Sequence, residues 1–228
     1  MRLFNFVLAF FLCLTCMNAQ DYSKTPVISK VTATWCPNCG SWGWSFMEAL
    51  KDEFNDDSAL LLGVHHSGDL ENPVSDWFSK NLKNTYQPQF FINNEMQGVN
   101  SGNWNNQVSA FRNLADNTNN QNGNSSFSFL KSYIDASNNI QVELDVAAMN
   151  KSEGEFFLGI YIYENNVINY QSQQGNNAVH PNVLRDVISD NYWGDAYLAG
   201  NSSSVVTKSY DLNSTDWNYN DLGLVAIM

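Results

Sequence analysis

Short apolar runs and helical apolar stripes alternate through the first half of the chain. Val27 to Ala33 is rich in β-branched residues and predicts a strand, and Ala59 to Val64 is a continuous apolar run typical of a strand buried on both faces. Between these runs Phe46, Leu50 and Phe54 recur at every fourth position, which predicts an amphipathic helix. The pattern therefore begins strand, helix, strand.

This alternation continues to about residue 116. Asn72 is suited to cap a helix that has Pro73 in its first turn, and Gln89 to Ile92 predicts a third strand. A last apolar stripe at residues 104–115 predicts another helix. The resulting order, β-α-β-α-β-(β)-α, predicts an α/β domain over residues 21–116.

The period of the pattern changes in the second half. Residues 117–125 are polar and rich in asparagine, which predicts a linker. Apolar residues then predict strands at residues 140–146, 156–163 and 205–212. An antiparallel β-sandwich over residues 126–228 is the economical interpretation. Because the chain stops at Met228 within an apolar run, we expect the sandwich to be truncated at its C-terminal end.

The N-terminus has the three regions of a secretory signal peptide. Met1 and Arg2 precede an apolar run from Leu3 to Leu14, which is too short to span a membrane. We expect residues 1–19 to be the signal, with cleavage after Ala19 and export of the mature chain. Cys16 is a candidate for lipid attachment, although the residues before it fit that pattern poorly.

The cysteines of the mature chain form one closely spaced pair. Cys13 and Cys16 lie within the predicted signal, which leaves Cys36 and Cys39 in the sequence Trp-Cys-Pro-Asn-Cys. In an oxidising compartment these two thiols are each other's partners. The pair can be a redox couple, a structural disulfide or part of a metal site, and a disulfide that closes so short a loop contributes little stability.

The metal interpretation needs further ligands. His65 and His66 end the second predicted strand, and two thiolates with an imidazole suit copper or zinc. Adjacent residues of a strand point to opposite faces, so only one of these histidines can approach Cys36 and Cys39. At most three ligands result.

Composition excludes some partners. The formal net charge is -12, and the few basic residues are scattered, so neither nucleic acid nor an anionic membrane surface is an expected partner. The sequence has no glycine loop suited to phosphate binding, and we expect no dissociable cofactor.

The cysteine pair and its surroundings resemble the thioredoxin fold family. The resemblance covers about residues 25 to 116 and rests on a strand leading into Trp-Cys-x-x-Cys, a following helix, and a proline before a later apolar strand. It implies a cis Gln87–Pro88 bond lying against the disulfide. It also implies that Cys36 is an exposed nucleophile of lowered pKa, that Cys39 resolves the mixed disulfide, and that Trp35, Gln87 and Pro88 bind substrate.

One position departs from this resemblance. Thioredoxins carry a buried acid six residues before the first cysteine, where this chain has Lys30. A lysine facing solvent is the expected arrangement, whereas an inward cation would favour the thiolate further. The direction of redox chemistry therefore does not follow from the resemblance.

Residues 180–185, His-Pro-Asn-Val-Leu-Arg, interrupt the strand pattern of the second half. With the N-terminal half, this segment resembles a family of exported, outer-membrane-associated proteins that join a thioredoxin-like domain to an Ig-like β-domain. The resemblance implies a location in the periplasm, at the outer membrane or outside the cell, and leaves open a peripheral association with the outer membrane. His180 and Arg185 are either a small polar site or ordinary structural residues.

We interpret the chain as a thiol-disulfide oxidoreductase that uses Cys36 and Cys39, with protein thiols or disulfides and a redox partner as its expected partners. Two other classes of function stay open. The first is a surface-associated binding module in which the fold is only a scaffold, and the second is a metal carrier that uses the two cysteines with His65 or His66.

Overall fold

The computed structural model describes residues 24–121, 125–148, 155–198 and 204–228. The predicted signal peptide, residues 1–19, and the candidate lipid site Cys16 lie outside the described residues. The helices are α1 (Pro37–Gly40), α2 (Trp42–Glu53), α3 (Pro73–Asn81) and α4 (Trp104–Asn119). The first strands are β1 (Val27–Ala33), β2 (Leu60–Ser67), β3 (Gln89–Ile92), β4 (Glu95–Gln97), β5 (Ser125–Ile134) and β6 (Asn139–Ala148). The later strands are β7 (Glu155–Glu164), β8 (Val167–Gln171), β9 (Gly175–His180), β10 (Val183–Val187), β11 (Asp195–Leu198), β12 (Ser204–Asp211) and β13 (Leu222–Ile227).

Local sequence signals account for most of these boundaries. The predicted strand at β1 is confirmed at both ends. The predicted cap of α3 is also confirmed, because the Asn72 side chain accepts a hydrogen bond from the Ser75 amide at 2.9 Å and Pro73 occupies the first turn. The helix predicted to run from Pro37 is instead broken at Ser41, whose φ of -99° and ψ of -105° are not helical.

One mixed sheet of eight strands runs through both halves of the chain. Its order is β11-β7-β10-β2-β1-β3-β4, with β13 on the other edge of β7. Strand β2 is parallel to β1 on one side and to β10 on the other, where Val183 pairs with Gly63. The Gly63 amide donates to the Asn182 carbonyl at 2.8 Å, and the Asn182 side-chain amide donates to the Leu61 carbonyl at 2.9 Å.

The expected fold class, an α/β thioredoxin-like domain followed by a separate Ig-like sandwich, is therefore wrong. The described chain is mostly β, and β7, β10, β11 and β13 extend the sheet that holds the first three strands. The physical reason lies at β2, an apolar strand whose second edge needs a hydrogen-bonding partner. The apolar pattern identifies strands, but it carries no information on which strand pairs with which.

A second, three-stranded sheet of order β12-β6-β5 packs on this larger sheet. The alternating residues Ile140, Val142, Leu144 and Val146 face a core shared with alternate residues of β7. The opposite face of β7 contributes to another core, with β2 and α3. Strand β7 is thus buried on both faces, which accounts for its nearly continuous apolar sequence. In the described ranges, no helix combines the length and apolar character that crossing a membrane requires.

Candidate functional site

Cys36 and Cys39 form a disulfide at the junction of β1 and α1. The backbone amide of Cys39 donates a hydrogen bond to the Cys36 sulfur at 3.1 Å. Cys36 is only 4% exposed and Cys39 is completely buried. The prediction that Cys36 is exposed is therefore wrong, although Cys36 is the cysteine of the pair that keeps some exposed surface.

The Gln87–Pro88 peptide lies against this disulfide. The predicted cis bond is confirmed. The Gln87 carbonyl oxygen is 3.7 Å from the Cys36 sulfur, a contact that becomes a hydrogen bond only when Cys36 carries a thiol proton. Pro88 itself is buried and packs on α2 at Gly43, where an added Cβ would lie 2.5 Å from the Pro88 Cγ. The Gln87 backbone therefore lies beside the Cys36 sulfur.

Trp35 lies next to Cys36 with its ring in solvent. Its side chain is 52% exposed, and its indole N–H donates to the Ser67 hydroxyl at 3.1 Å. The hydrogen bond fixes one end of the ring while the apolar face stays accessible.

A hairpin from the second half of the chain covers the other side of the disulfide. This docking hairpin comprises β8, β9 and their turn, residues 167–180. The Gln171 side-chain amide donates to the Ala33 and Cys36 carbonyls at 3.4 and 3.2 Å, and the Ser172 amide donates to the Thr34 carbonyl at 2.8 Å. The Gln174 side-chain amide reaches the Gly40 carbonyl at 2.6 Å. Sequence reasoning missed this contact, because a polar Gln-Ser-Gln-Gln-Gly turn has no signal for what it packs against.

Replacing Gln171 by leucine is expected to lower the free energy of unfolding by about 1–2 kcal/mol. Gln171 is 1% exposed, so its amide hydrogen bonds are not replaced by water when it is removed. Urea unfolding of the oxidised protein measures the change. Gln107→Leu on α4 is the control, since the Gln107 side chain is half-buried and no equivalent loss is expected there. Equal stability of Gln171→Leu and wild type would contradict the docking of the hairpin.

Lys30 is buried beneath the disulfide, so its expected solvent-facing position is wrong. The residue is 5% exposed, its ammonium nitrogen lies 3.2 Å from the Cys39 carbonyl oxygen, and the same atom is 5.6 Å from the centre of the Trp44 ring. Strand β1 is central in the sheet, and Trp44 of α2 covers the Lys30 side chain, which therefore has little access to solvent. Burial lowers the pKa of Lys30 to about 7, and the Glu48 carboxylate opposes that shift.

Two histidines meet in the same region. The His65 and His180 rings are 5.0 Å apart, and Trp44 makes an edge contact with His180 at 5.3 Å. Burial lowers the pKa of His65, with the charge of His180 as the next cause. Burial also lowers the pKa of His180 to about 4, followed by the charge of Lys30, against the opposing effect of the Tyr170 and Asn169 carbonyls. Both imidazoles are therefore neutral at pH 7.

The structure does not assemble the proposed metal ligands. His65 packs against His180, which belongs to the docking hairpin. Within the residues that the structure describes, no three His, Cys, Asp or Glu side chains are grouped closely enough to hold an ion.

The segment at residues 180–185 is divided between two places. His180 points into the region under the disulfide, whereas Arg185 forms an ion pair with the buried Glu164 at 2.6 Å. The sequence identified residues 180–185 as a candidate polar site. It did not show that His180 and Arg185, at the two ends of this segment, contact different residues.

Comparison with solved structures finds a similar fold in HBP35 of Porphyromonas gingivalis. The TM-score is 0.73 at 17% sequence identity, and the alignment covers 90% of this chain and 69% of that chain. At this identity the likeness shows the fold alone. No family model matches the sequence, and no curated protein matches it either.

These findings correct the resemblance drawn from the sequence. One mixed sheet spans both halves, and the neighbour that covers the chain is HBP35, so the assignment to the thioredoxin fold family is wrong. The wider resemblance to exported proteins with a thioredoxin-like and an Ig-like domain is wrong for the same reason. Cys36 and Cys39 are joined in a disulfide, and the Gln87 carbonyl that precedes Pro88 lies beside the Cys36 sulfur.

Proposed function

We propose that the chain is a thiol-disulfide oxidoreductase that exchanges disulfides with other polypeptides through Cys36 and Cys39. The observation that carries the proposal is the setting of the Cys36 sulfur. It accepts a hydrogen bond from the Cys39 amide, it faces the Gln87 carbonyl, and it belongs to the cysteine of the pair that keeps some exposed surface. A hydrogen bond to the sulfur favours the thiolate, which is the reactive form.

The chemistry needs two steps. In the reduced protein the Cys36 thiolate attacks a substrate disulfide, forms a mixed disulfide and releases one substrate thiolate. Cys39 then attacks the Cys36 sulfur, which restores the Cys36–Cys39 disulfide and releases the second substrate thiolate. Two electrons pass from the couple to the substrate, and the reverse sequence oxidises a substrate dithiol. A dithiol or disulfide protein returns the couple to its starting state.

Trp35 and the Gln87 backbone supply the substrate contacts in this proposal. The exposed Trp35 ring offers an apolar surface beside Cys36. An extended substrate segment can pair with the Gln87 backbone, as strands pair at a sheet edge. Pro88, held on Gly43, fixes the position of that backbone.

Cys36→Ser is expected to abolish exchange, and Cys39→Ser is expected to accumulate the mixed disulfide. The first variant removes the attacking sulfur, and the second removes the resolving one. Insulin reduction and trapping of a cysteine-containing peptide on non-reducing gels measure the two outcomes. Ser45→Ala on α2 is a control outside the couple and should retain activity. Full activity in Cys36→Ser, or no exchange by the wild-type protein, would overturn the proposal.

The same proposal places the mature protein outside the cytoplasm, where disulfides persist. The support is the predicted signal at residues 1–19. Expression of the full chain with a C-terminal tag, followed by mass determination of the exported product, tests it. A mature chain that begins at Gln20 is expected, and an uncleaved cytoplasmic protein would contradict it.

The burial of Cys36 favours a second candidate, a binding module with an inert disulfide. The 4% exposure of Cys36 leaves a substrate little access in the oxidised state. A reduction potential below about -300 mV for the Cys36–Cys39 pair would support this candidate, because such disulfides resist exchange. A higher potential supports the oxidoreductase.

A further inference from the structure

The docking hairpin is a small sheet of its own. Within the described residues, β8 and β9 pair with each other and with no strand of the two larger sheets. A hairpin of two strands is marginally stable by itself in water. The docked position of this hairpin therefore depends on what its inner face contacts.

The inner face of the hairpin offers little apolar surface. Ile168, Tyr170 and Val179 alternate along the two strands on the outer face and are exposed. The buried residues of the inner face are Val167, Gln171, Ala178 and His180. Only Val167 and Ala178 of these are apolar, so hydrophobic burial adds little to docking. Segments with few apolar contacts open at a lower free energy than the whole protein.

The turn of the hairpin, residues 171–175, docks beside the cysteine pair through hydrogen bonds. The Ser172 amide donates to the Thr34 carbonyl at 2.8 Å, and the Gln174 side chain donates to the Gly40 carbonyl at 2.6 Å. These carbonyls precede and follow the cysteine pair in sequence. Lifting the turn therefore removes a covering layer next to the pair.

The last residue of the hairpin, His180, is buried in a different place. The centre of its ring lies 5.0 Å from that of His65 and 5.3 Å from that of Trp44. With Lys30, these residues line a cavity of about 10 Å³, which has room for about one water molecule. His180 Nε2 has no hydrogen-bond partner in the described part of the chain. The docked position therefore cannot hydrate a charged His180 ring.

The charges around His180 also oppose its protonation. Burial lowers the pKa of His180 to about 4, and the charges of Lys30 on β1 and Arg185 on β10 act in the same direction. The Tyr170 and Asn169 carbonyls, which favour the charged ring, belong to the hairpin itself. Release of the hairpin carries these carbonyls away with His180, whereas Lys30 and Arg185 stay behind.

The remaining titratable groups of this region are two bases and one acid. Burial lowers the pKa of His65 on β2, and the positive charges that add to this shift include that of His66. Glu48 on α2 lines the cavity, raises the pKa of Lys30 and lies 3.9 Å from Lys51 on its own helix. Because the pKa of Lys30 is about 7, a proton taken up by His180 below that pH adds a second positive charge at one cavity.

We propose that the docking hairpin is a cover of the cysteine pair that acid releases. Protonated His180 leaves the cavity for water, the hairpin moves with it, and the hydrogen bonds of Ser172 and Gln174 break. The pair is then open to a thiol of another polypeptide, whereas at neutral pH it is covered. This regulation of the pair rests on the proposed function, but the opening of the hairpin does not.

Hydrogen exchange of the oxidised wild-type protein from pH 7 to pH 4.5 tests the opening without a substitution. The protection factor of the Ser172 amide, corrected for the pH dependence of free amides, should fall about 50-fold if His180 titrates alone. This value follows from a pKa of about 4 in the docked state and 6.5 in the open state. Amides of β1, which pairs with both β2 and β3, should stay better protected at every pH. Constant protection of Ser172, or protection equal to that of β1, would overturn the inference.

His180→Gln removes the titrating group and keeps a polar side chain. The protection of Ser172 in this variant should change by less than about threefold over the same pH range. Val179→Gln is the matched control, since it introduces the same side chain at the neighbouring, exposed position. It should keep the pH dependence of the wild type. The wild-type dependence in His180→Gln would also overturn the inference.

Reduction by a water-soluble phosphine measures access to the pair, because a phosphine attacks a disulfide without a thiolate. The rate for the oxidised protein is divided at each pH by the rate for oxidised glutathione. From pH 7 to pH 4.5 this ratio should rise by at least about tenfold in the wild type and stay within about threefold in His180→Gln. A constant ratio while Ser172 loses protection would show that the hairpin does not cover the pair, and would overturn the inference. Absence of insulin reduction at every pH, with both expected changes present, would overturn the proposed function alone.

Discussion

Replacing Gly40 by alanine is expected to lower the free energy of unfolding by about 3 kcal/mol or more. An added Cβ would lie 1.7 Å from the Ser172 carbonyl oxygen and 2.9 Å from its carbon, so the hairpin backbone has to move. That movement also breaks the hydrogen bonds that Ser172 and Gln174 donate to the Thr34 and Gly40 carbonyls. The clash outweighs the roughly 1 kcal/mol by which alanine favours a helix over glycine.

Urea unfolding of the oxidised protein measures this loss, and hydrogen exchange of the Ser172 amide reports the hairpin contact directly. Gly98→Ala is the matched control, because an added Cβ at Gly98 meets nothing within 4 Å. Its stability should stay within about 0.5 kcal/mol of wild type. A Gly40→Ala protein as stable as the control, with Ser172 still protected, would show that the hairpin does not pack on Gly40.

Acidification from pH 7 to pH 4.5 is expected to remove up to about 3 kcal/mol of stability through His180. Its folded pKa of about 4 lies below its ordinary value of 6.5, so between these values the unfolded chain binds the extra proton. Stability therefore falls as pH falls through that window and is lost no further through His180 below about pH 4. His65 acts in the same direction, because burial lowers its pKa too.

The measurement is urea unfolding of the oxidised protein at several pH values from 7 to 4.5. The lower limit avoids the titration of carboxylates whose pKa is held down, such as Asp56 beside Arg112 and Asp135 beside Asn139. His180→Gln should be less stable than wild type at pH 7 and should lose less stability on acidification. If the free energy of unfolding of His180→Gln falls with pH as steeply as that of the wild type, the assignment of this loss to His180 is wrong.

The sequence predicts the local elements of this chain better than their assembly. Asn72 and Pro73 fix the start of α3 through a capping bond within the same turn, and the β-branched run at Val27 to Ala33 forms the predicted strand. Both depend on neighbours in sequence. The pairing of Val183 with Gly63 depends instead on two strands separated by more than a hundred residues. Gly63 lies in a predicted strand, whereas Val183 lies in the segment that was expected to interrupt the strand pattern. The expectation of two separate folds failed at that contact.

The candidate site divides in the same way. The resemblance to the thioredoxin fold family implied that the Gln87–Pro88 bond lies against the disulfide, and the structure brings Cys36 and Gln87 together. The inward position of Lys30 could not, because a lysine within an apolar strand is more often exposed at its charged end. The enclosure of Lys30 depends on β10 and on the docking hairpin, which the linear pattern assigned to another unit.

The docking hairpin sets an order of events during biosynthesis. Gln174 and Gly40 are 134 residues apart in sequence, and Gln171 and Ala33 are 138 apart. Contacts of such long range form late, because the chain entropy lost in closing the loop must be overcome first. A polypeptide emerging from its N-terminus presents its cysteine pair to thiols of the surroundings well before residues 167–180 exist to enclose it. The environment that tunes Cys36 and Cys39 is therefore acquired only when the second half has been made and folded, and a nascent chain carries a more accessible pair than the finished protein.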